Sequence, residues 1–285
     1  MESLIIEPPR GSAARHLDPV RMLGGLWRHR ELTVRLIGQE VAQRYRGSYL
    51  GIVWSFITPI LMLSVYAFVF SVVFRARWGD AAGPMGSVEF ALTLFAGLVP
   101  FGVFSEVLNR APSIVLAVPN YVKKVVFPLE ILPVVAVGSA VVHSFISAGI
   151  LLAGTLVLLG SVSPTAVLLP LAYLPLVLLA LGLCWFLASL GVYVRDVGQA
   201  IGIATQVLFF LSPIFYPISA VPERFRPFIM ANPLTEIIAG FRRTMLWGSA
   251  PGWSAWAVLT AATALIALLG YAWFMQTRRG FADVM

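Results

Sequence analysis

Long uncharged stretches alternate along this chain with short charged ones. Ile52 to Phe74 runs 23 residues without Asp, Glu, Lys or Arg, and Arg75 and Arg77 stop it. About 20 apolar residues cross a bilayer as a helix, so this run predicts a first span. A second run, Phe90 to about Leu108, is broken only by Glu106 and ends at Asn109, Arg110 and Pro112. Ile131 to Val194 then lacks charged side chains for 64 residues, too long for one helix and suited to two joined at Gly160-Ser161-Val162-Ser163-Pro164. Arg195 and Asp196 make a short loop, Val197 to Pro217 a fifth span, and Trp253 to Met275 a sixth followed at once by Arg278 and Arg279. The pattern predicts an all-α polytopic membrane protein with six transmembrane helices.

Two segments follow other rules. From Val20 to Ser48, Leu32, Leu36, Ile37, Val41 and Tyr45 recur at helical spacing while Arg35, Gln39, Gln43 and Arg46 fall mostly elsewhere on the wheel. Such an amphipathic helix lies in the membrane interface, or alternatively packs as a soluble helix on another surface. The abrupt passage through Tyr49-Leu50-Gly51 into the first span favours the interface. Ile218 to Trp247 is too charged to span and too apolar for a plain loop, and Pro222, Pro227 and Pro233 cut it into pieces. Backbone that dips into a bilayer must be received by protein or by a water-filled cavity. This predicts short re-entrant helices between spans five and six at the outer rim of a pore, with a lipid-facing flap as the alternative.

Composition agrees with the pattern: of 285 residues 59% are hydrophobic and 12% charged, with mean hydropathy +0.88, whereas soluble domains carry about a quarter charged residues. The net charge of +7 fits topology and anionic lipid better than nucleic acid, for which no basic and aromatic module is visible. Fourteen Lys and Arg fall on the amino-terminal side of the six spans and six on the other, which places both termini in the cytoplasm. The first residues lack an apolar core for a cleaved signal peptide and read as a mobile cytoplasmic tail. The expected organisation is a tail over 1–19, an amphipathic interface region over 20–51, a six-span domain over 52–277 and a short cytoplasmic tail over 278–285.

Catalytic and metal chemistry find little support. Cys184 stands alone in an apolar run, and His16, His29 and His143 are scattered without metal-ligand spacing. No GxxxxGK[ST] phosphate cradle occurs, because the only lysines, Lys123 and Lys124, follow valine. If ATP drives this protein, another chain binds it. Those lysines lie in Pro119-Asn120-Tyr121-Val122-Lys123-Lys124-Val125-Val126-Phe127-Pro128-Leu129-Glu130-Ile131-Leu132-Pro133, bracketed by prolines between two spans. A cation at mid-bilayer costs roughly 2.5 to 3.5 kcal/mol, so the segment must surface. It reads either as an ordinary positive-inside loop or as a docking element for a cytoplasmic partner.

Several ordered blocks resemble one family. Arg44-Tyr45-Arg46-Gly47-Ser48-Tyr49-Leu50-Gly51-Ile52-Val53-Trp54 with Pro59, preceded by the amphipathic helix, is similar to the entrance of the membrane subunit of type-2 ABC exporters for polysaccharides, which carry O-antigen, teichoic acid, capsule and other cell-wall glycans. Lys123 to Pro133 resembles the family's loop between spans two and three. Tyr193-Val194-Arg195-Asp196-Val197 and Pro213-Ile214-Phe215-Tyr216-Pro217 resemble the region of spans four and five, and Asn232-Pro233-Leu234 the outer segment. The resemblance runs from about residue 20 to the end. It implies a homodimer of six-span subunits in the bacterial cytoplasmic membrane, moving a lipid-linked polysaccharide with two cytoplasmic ATPase subunits that hold ATP and Mg, this chain being no enzyme itself. A drug or lipid effluxer of the same superfamily is the near alternative. A membrane-embedded transferase acting on lipid-linked sugar is a more distant one, and it would need clustered acids or histidines at an interface.

Candidate residues follow. Asn120, Tyr121, Lys123, Lys124, Phe127 and Glu130, with Arg195 and Asp196, are expected to receive the ATPase. Arg44, Tyr45 and Arg46 are expected at the substrate entrance, where a polyprenyl diphosphate head would meet cations; lipid anchoring is the competing role. Tyr66, Phe70 and Tyr216 are the candidate pore lining, because sugar C–H faces pack on aromatic rings and Tyr hydroxyls supply hydrogen bonds. Aromatic packing or an interfacial belt is the ordinary alternative. Glu236, Arg242 and Arg243 are expected near the outer exit.

Overall fold

A computed structural model describes residues 18–44, 46, 49–69, 86–123 and 127–285, without the side chains of Ile52, Ser87, Val122 and Lys123. Residues 1–17 of the amino-terminal tail expected over 1–19, and among the candidate residues Tyr45, Phe70, Lys124 and the Lys123 side chain, lie outside the described residues. The described residues are helical, with no strand among them.

The chain enters through α1 (Pro19–Arg28) and α2 (Arg30–Arg44), separated at His29. Asp18 caps α1, its Oδ1 accepting from Val20 N at 2.9 Å, and Pro19 occupies the first helical position where its missing N–H costs nothing. The single amphipathic helix expected from Val20 to Ser48 is thus two pieces. The break lets each piece bury its own apolar side: Met22 of α1 packs with Tyr271 and Phe274, while Ile37 of α2 presses into the notch left by Gly138. Leu32, Leu36 and Val41 are half-buried, yet Leu32 and Val41, nine residues apart, stand on opposite sides of α2, and Arg35, Gln39 and Gln43 are exposed.

Four described helical stretches, Val88–Ser113, Ile131–Leu159, Pro164–Tyr193 and Trp253–Val284, are long and apolar enough to cross a membrane, and Trp54–Phe68 and Val197–Leu211 are shorter apolar helices. They correspond to α4 (Ser87–Arg110), α6 (Ile131–Leu159), α7 (Leu169–Tyr193), α11 (Trp253–Thr277), α3 (Trp54–Phe68) and α8 (Val197–Leu211). The most apolar window of α4 is 78% buried within the chain against 22% for α6 and 33% for α11, so α4 is the central post and the others turn a face outward. The turn between α6 and α7 falls at the expected place. Gly160 caps α6 at φ 75°, a left-handed conformation open to glycine, and its N–H returns to Leu156 O at 3.0 Å.

The fifth span, expected to reach Pro217, is helical only to Leu211. Pro213 lacks an amide hydrogen and disfavours helix at the residue before it, and Ser212 is accordingly extended at ψ 141°. Beyond it come two short helices, α9 (Arg226–Ala231) and α10 (Pro233–Met245). Asn232 caps α10, accepting from Leu234 N at 3.0 Å, and its amide donates to Ser212 Oγ at 3.2 Å. Leu234, Ile237, Ile238, Phe241 and Met245 of α10 sit in the core with Val99 of α4 and Leu176 of α7. Between α4 and α6 lies α5 (Pro119–Lys123), and the chain closes with α12 (Phe281–Val284). Helices α7 and α11 approach backbone to backbone: a Cβ on Gly270 would stand 2.0 Å from Gly182 O. Small residues that let backbones meet are how helices associate where lipid removes the hydrophobic drive between them.

Candidate functional site

Helices α2 and α4 each carry the sequence Glu-x-x-x-Arg, Glu40 with Arg44 and Glu106 with Arg110, one turn apart and therefore on one face. The structure sets the two motifs against each other in reverse order. Arg44 grips Glu106 with both branches of its guanidinium, Nη1 to Oε1 at 2.6 Å and Nη2 to Oε2 at 3.2 Å. Arg110 Nη1 reaches Glu40 Oε1 at 2.7 Å and stands 3.7 Å from Glu106 Oε1. Glu106 thus has a cation on either side. The Arg44 side chain is 44% exposed and Glu106 23%, so water screens the pair and its net stabilisation is modest. A forked, two-bonded contact nonetheless fixes orientation well.

Three clefts meet at this pair, and Arg44 and Glu106 line all of them. The first, about 390 Å³, runs between α3, α4 and α6 and is walled by Trp54, Pro59, Tyr66 and His143. A second of about 700 Å³ lies between α4 and α8, with Phe101, Asn109, Thr205, Phe209 and Phe210. The third, about 420 Å³, opens toward Glu40, Gln43, Arg110 and Ser139. The aromatic wall of the second cleft is a packed set: the Phe209 ring lies 5.2 Å from Phe101, 5.3 Å from Phe210 and 5.0 Å from Phe215. Across the cleft floor the Asn109 amide donates to Thr205 Oγ1 at 3.2 Å.

Of the expected pore residues, Tyr66 lines the first cleft and packs against Phe90 and Leu94. Its neighbour Phe68 points away and is 60% exposed, as the helical turn requires. Tyr216 is half-buried and donates its hydroxyl to Phe210 O at 3.0 Å, which ties it to the end of α8. Arg46 is exposed.

The segment expected to receive the ATPase is knitted to the far end of the chain. Tyr121 and Phe127 stack with ring centroids 4.5 Å apart, pinning α5 against Phe127. Glu130 is buried and accepts from Arg278 Nη1 at 2.8 Å, while its carbonyl accepts from Trp185 Nε1 at 2.9 Å. Asn120 is exposed, as are Arg195 and Asp196 at the α7–α8 turn. Just before that turn, Tyr193 donates to Thr277 O at 2.8 Å and faces the Phe281 ring at 6.0 Å. The carboxyl-terminal turn therefore joins the two stretches named from sequence. Its basic pair Arg278-Arg279 stands out in the sequence, but only the fold brings Arg278 to Glu130.

The outer candidates separate. Arg243 and Glu236 form an ion pair beside Pro175 and Trp256. Arg242 turns inward: 3% exposed, it donates through Nε to Thr93 O at 3.0 Å, through Nη1 to Pro213 O at 2.8 Å and through Nη2 to Ile214 O at 2.7 Å. Those carbonyls belong to α4 and to the stretch where α8 has been stopped by Pro213. Arg242 satisfies backbone that the interrupted helix leaves bare. Sequence reading missed Glu40, Glu106 and Arg110; the repeated Glu-x-x-x-Arg spacing and the lone acid in an apolar run were the signals that could have found them.

Helices long and apolar enough to cross a membrane surround charged, partly open clefts, the arrangement of a polytopic membrane protein. The chain belongs to the ABC-2 type transporter family, whose model matches residues 31–246. It is 27% identical over 268 residues to the O-antigen export system permease protein RfbA of Myxococcus xanthus, covering 93% of this chain and 99% of that protein. It is 23% identical over 258 residues to the RfbA permease of Klebsiella pneumoniae, 90% of this chain and 95% of the relative. It is also 22% identical over 215 residues to the polysialic acid transport protein KpsM of Escherichia coli, 74% of this chain and 79% of that protein.

Proposed function

We propose that this chain is the permease subunit of an ABC exporter that moves a lipid-linked polysaccharide across the cytoplasmic membrane. The carrying observation is end-to-end similarity, over 93% of the chain, to a permease named for O-antigen export. The KpsM relative, named for polysialic acid, places glycans rather than drugs or simple lipids foremost. Membership of a transporter family sets aside the transferase reading.

The working unit is a homodimer of six-span subunits with two cytoplasmic ATPase subunits, which supply the ATP and Mg sites. Both termini face the cytoplasm, in keeping with fourteen cations on that side against six. The span domain over 52–277 is flanked by the interface region over 20–51 and by the terminal tails. ATPase movements enter through Asn120 to Glu130 together with Arg195 and Asp196; the Tyr121–Phe127 stack and the Glu130–Arg278 contact support this, because they tie residues of the segment to each other and to the carboxyl-terminal turn. Arg44, with Tyr45 and Arg46, admits the anionic head of the lipid carrier. Tyr66, Phe70 and Tyr216 face the passing glycan, a role supported for Tyr66 by its place in a cleft next to Arg44. The short helices α9 and α10 re-enter the outer leaflet, and Glu236, Arg242 and Arg243 stand near the exit.

Deletion of the gene in its host tests this directly. Surface polysaccharide should disappear while lipid-linked glycan accumulates on the cytoplasmic side, and a plasmid copy should restore both; undiminished surface glycan would overturn the assignment.

A further inference from the structure

We infer that the Arg44–Glu106 pair is a displaceable lock, in which Glu106 occupies the anion site of Arg44 until the diphosphate headgroup of a prenyl lipid takes its place. This rests on the reading that Arg44 admits the lipid carrier, and it adds how that admission is gated. Carboxylate and phosphate oxygens fit the same guanidinium fork, so a group held at 2.6 and 3.2 Å by both Arg44 branches marks a ready-made phosphate seat. Arg110, 3.7 Å from the same carboxylate oxygen, places a second cation within reach of one ligand.

The cluster Glu40, Arg44, Glu106 and Arg110 sums to zero charge, so it rests without a ligand and without an unpaired cation beside the spans. An entering group must outcompete a carboxylate that is tethered one helix away and therefore present at high effective concentration. A neutral headgroup has no charge with which to do so. A monophosphate competes weakly, while a diphosphate can hold Arg44 and Arg110 together.

The surroundings permit the exchange. Among the described residues Arg44 and Glu106 alone line all three clefts, so the pair partitions about 390 Å³ beside Tyr66 from about 700 Å³ beside Phe210 and from the third opening near Arg110. When Glu106 lets go, its carboxylate swings into one of these openings rather than into hydrocarbon, and the partition is lifted. Binding of the head and joining of the clefts are thus one event.

The test uses the full chain in lipid nanodiscs, with farnesyl diphosphate, farnesyl phosphate and inorganic pyrophosphate as probes and empty nanodiscs as blank. Glu106→Gln, which keeps the shape but removes the competing charge, should tighten farnesyl diphosphate by roughly tenfold, a change of about 1.4 kcal/mol. Arg44→Gln should weaken it by about the same factor, since it removes the fork. Farnesyl phosphate should show a smaller Glu106 effect, and pyrophosphate should bind more weakly than farnesyl diphosphate; equal affinity would overturn the lipid-head assignment. Glu106→Asp, whose carboxylate reaches less far, should tighten binding by an intermediate factor and carries the test if Glu106→Gln does not purify as a single species. If Arg44→Gln weakens binding but neither Glu106 variant tightens it, the lock is wrong and the entrance reading stands. If Arg44→Gln leaves affinity unchanged, the entrance reading itself falls.

Discussion

Glu130 and Arg278 join the start of α6 to the end of α11, the carboxylate accepting from the guanidinium at 2.8 Å across 148 residues of chain. The Glu130 side chain is only 12% exposed, so the contact is shielded and directional rather than a loose surface pair. It anchors the Pro119 to Pro133 segment to the carboxyl-terminal turn. Replacing Arg278 by Ala should cost about 1 to 3 kcal/mol, because a mostly buried carboxylate loses its partner. A lowered unfolding midpoint in fluorescence-detected gel filtration would register it. Exchanging the pair as Glu130→Arg with Arg278→Glu should recover part of the loss, and a double-mutant cycle with no coupling would argue against the contact.

The Tyr121–Phe127 stack braces the proposed coupling segment. Alanine at Lys123, Lys124 and Phe127 together should leave membrane insertion intact while ATP hydrolysis by the complex no longer drives export. Transport and hydrolysis measured side by side in vesicles decide this, and normal transport by the triple variant would exclude the segment as the coupling element.

Arg242 should be a stability residue before it is anything else. Arg242→Met fits the space but leaves Pro213 O and Ile214 O without their donor, at about 1 to 3 kcal/mol for each group left unmet, while Thr93 O keeps its bond within α4. Gly97→Ala probes the same point from the other side, because its Cβ would lie 2.8 Å from Arg242 Nη2, and that guanidinium is held in place by its three bonds. Both variants should lower the thermal midpoint, Arg242→Met the more. An unchanged midpoint in Arg242→Met would show that water replaces the guanidinium.

Gly182 and Gly270 make an independent prediction about the α7–α11 contact. Alanine at Gly270 would place a methyl 2.0 Å from Gly182 O, so the helices must separate. Forcing volume into so close a contact costs typically 1 to 3 kcal/mol, and a Gly→Ala change at the exposed Gly102 should cost far less. Thermal midpoints of the two variants, compared under one set of conditions, provide the check.

Cysteine scanning separates the cleft-facing side of α3 from its outer side. With Cys184 first replaced by Ala, Cys at Tyr66 should react with a water-soluble thiol reagent and be protected while the exporter turns over. Cys at Phe68 should show no turnover-dependent protection. Equal protection at both positions would reject Tyr66 as lining.

Much of the architecture was legible in the chain itself, because crossing a bilayer is a local demand. A run needs only length and absence of charge, so α4, α6, α7 and α11 could be placed, as could the turn at Gly160, while of the prolines expected to cut the later segment Pro227 lies inside α9. The family could be read from ordered blocks such as Arg44 to Trp54 and Lys123 to Pro133. Sequence could also say that Glu106 is costly in an apolar run, but not what neutralises it. Its partner lies 62 residues away, and Arg242 finds Thr93 across 149. Nothing local distinguishes Arg242, which enters the core to meet backbone freed at Pro213, from Arg243, which pairs with Glu236 beside it. Likewise the clefts exist only where α2, α3, α4, α6 and α8 converge. Hydropathy fixes which segments leave water, because that free energy is additive along the chain; which charges meet is fixed by the packing of distant helices, because a bond of 2.6 Å depends on geometry that no single segment contains.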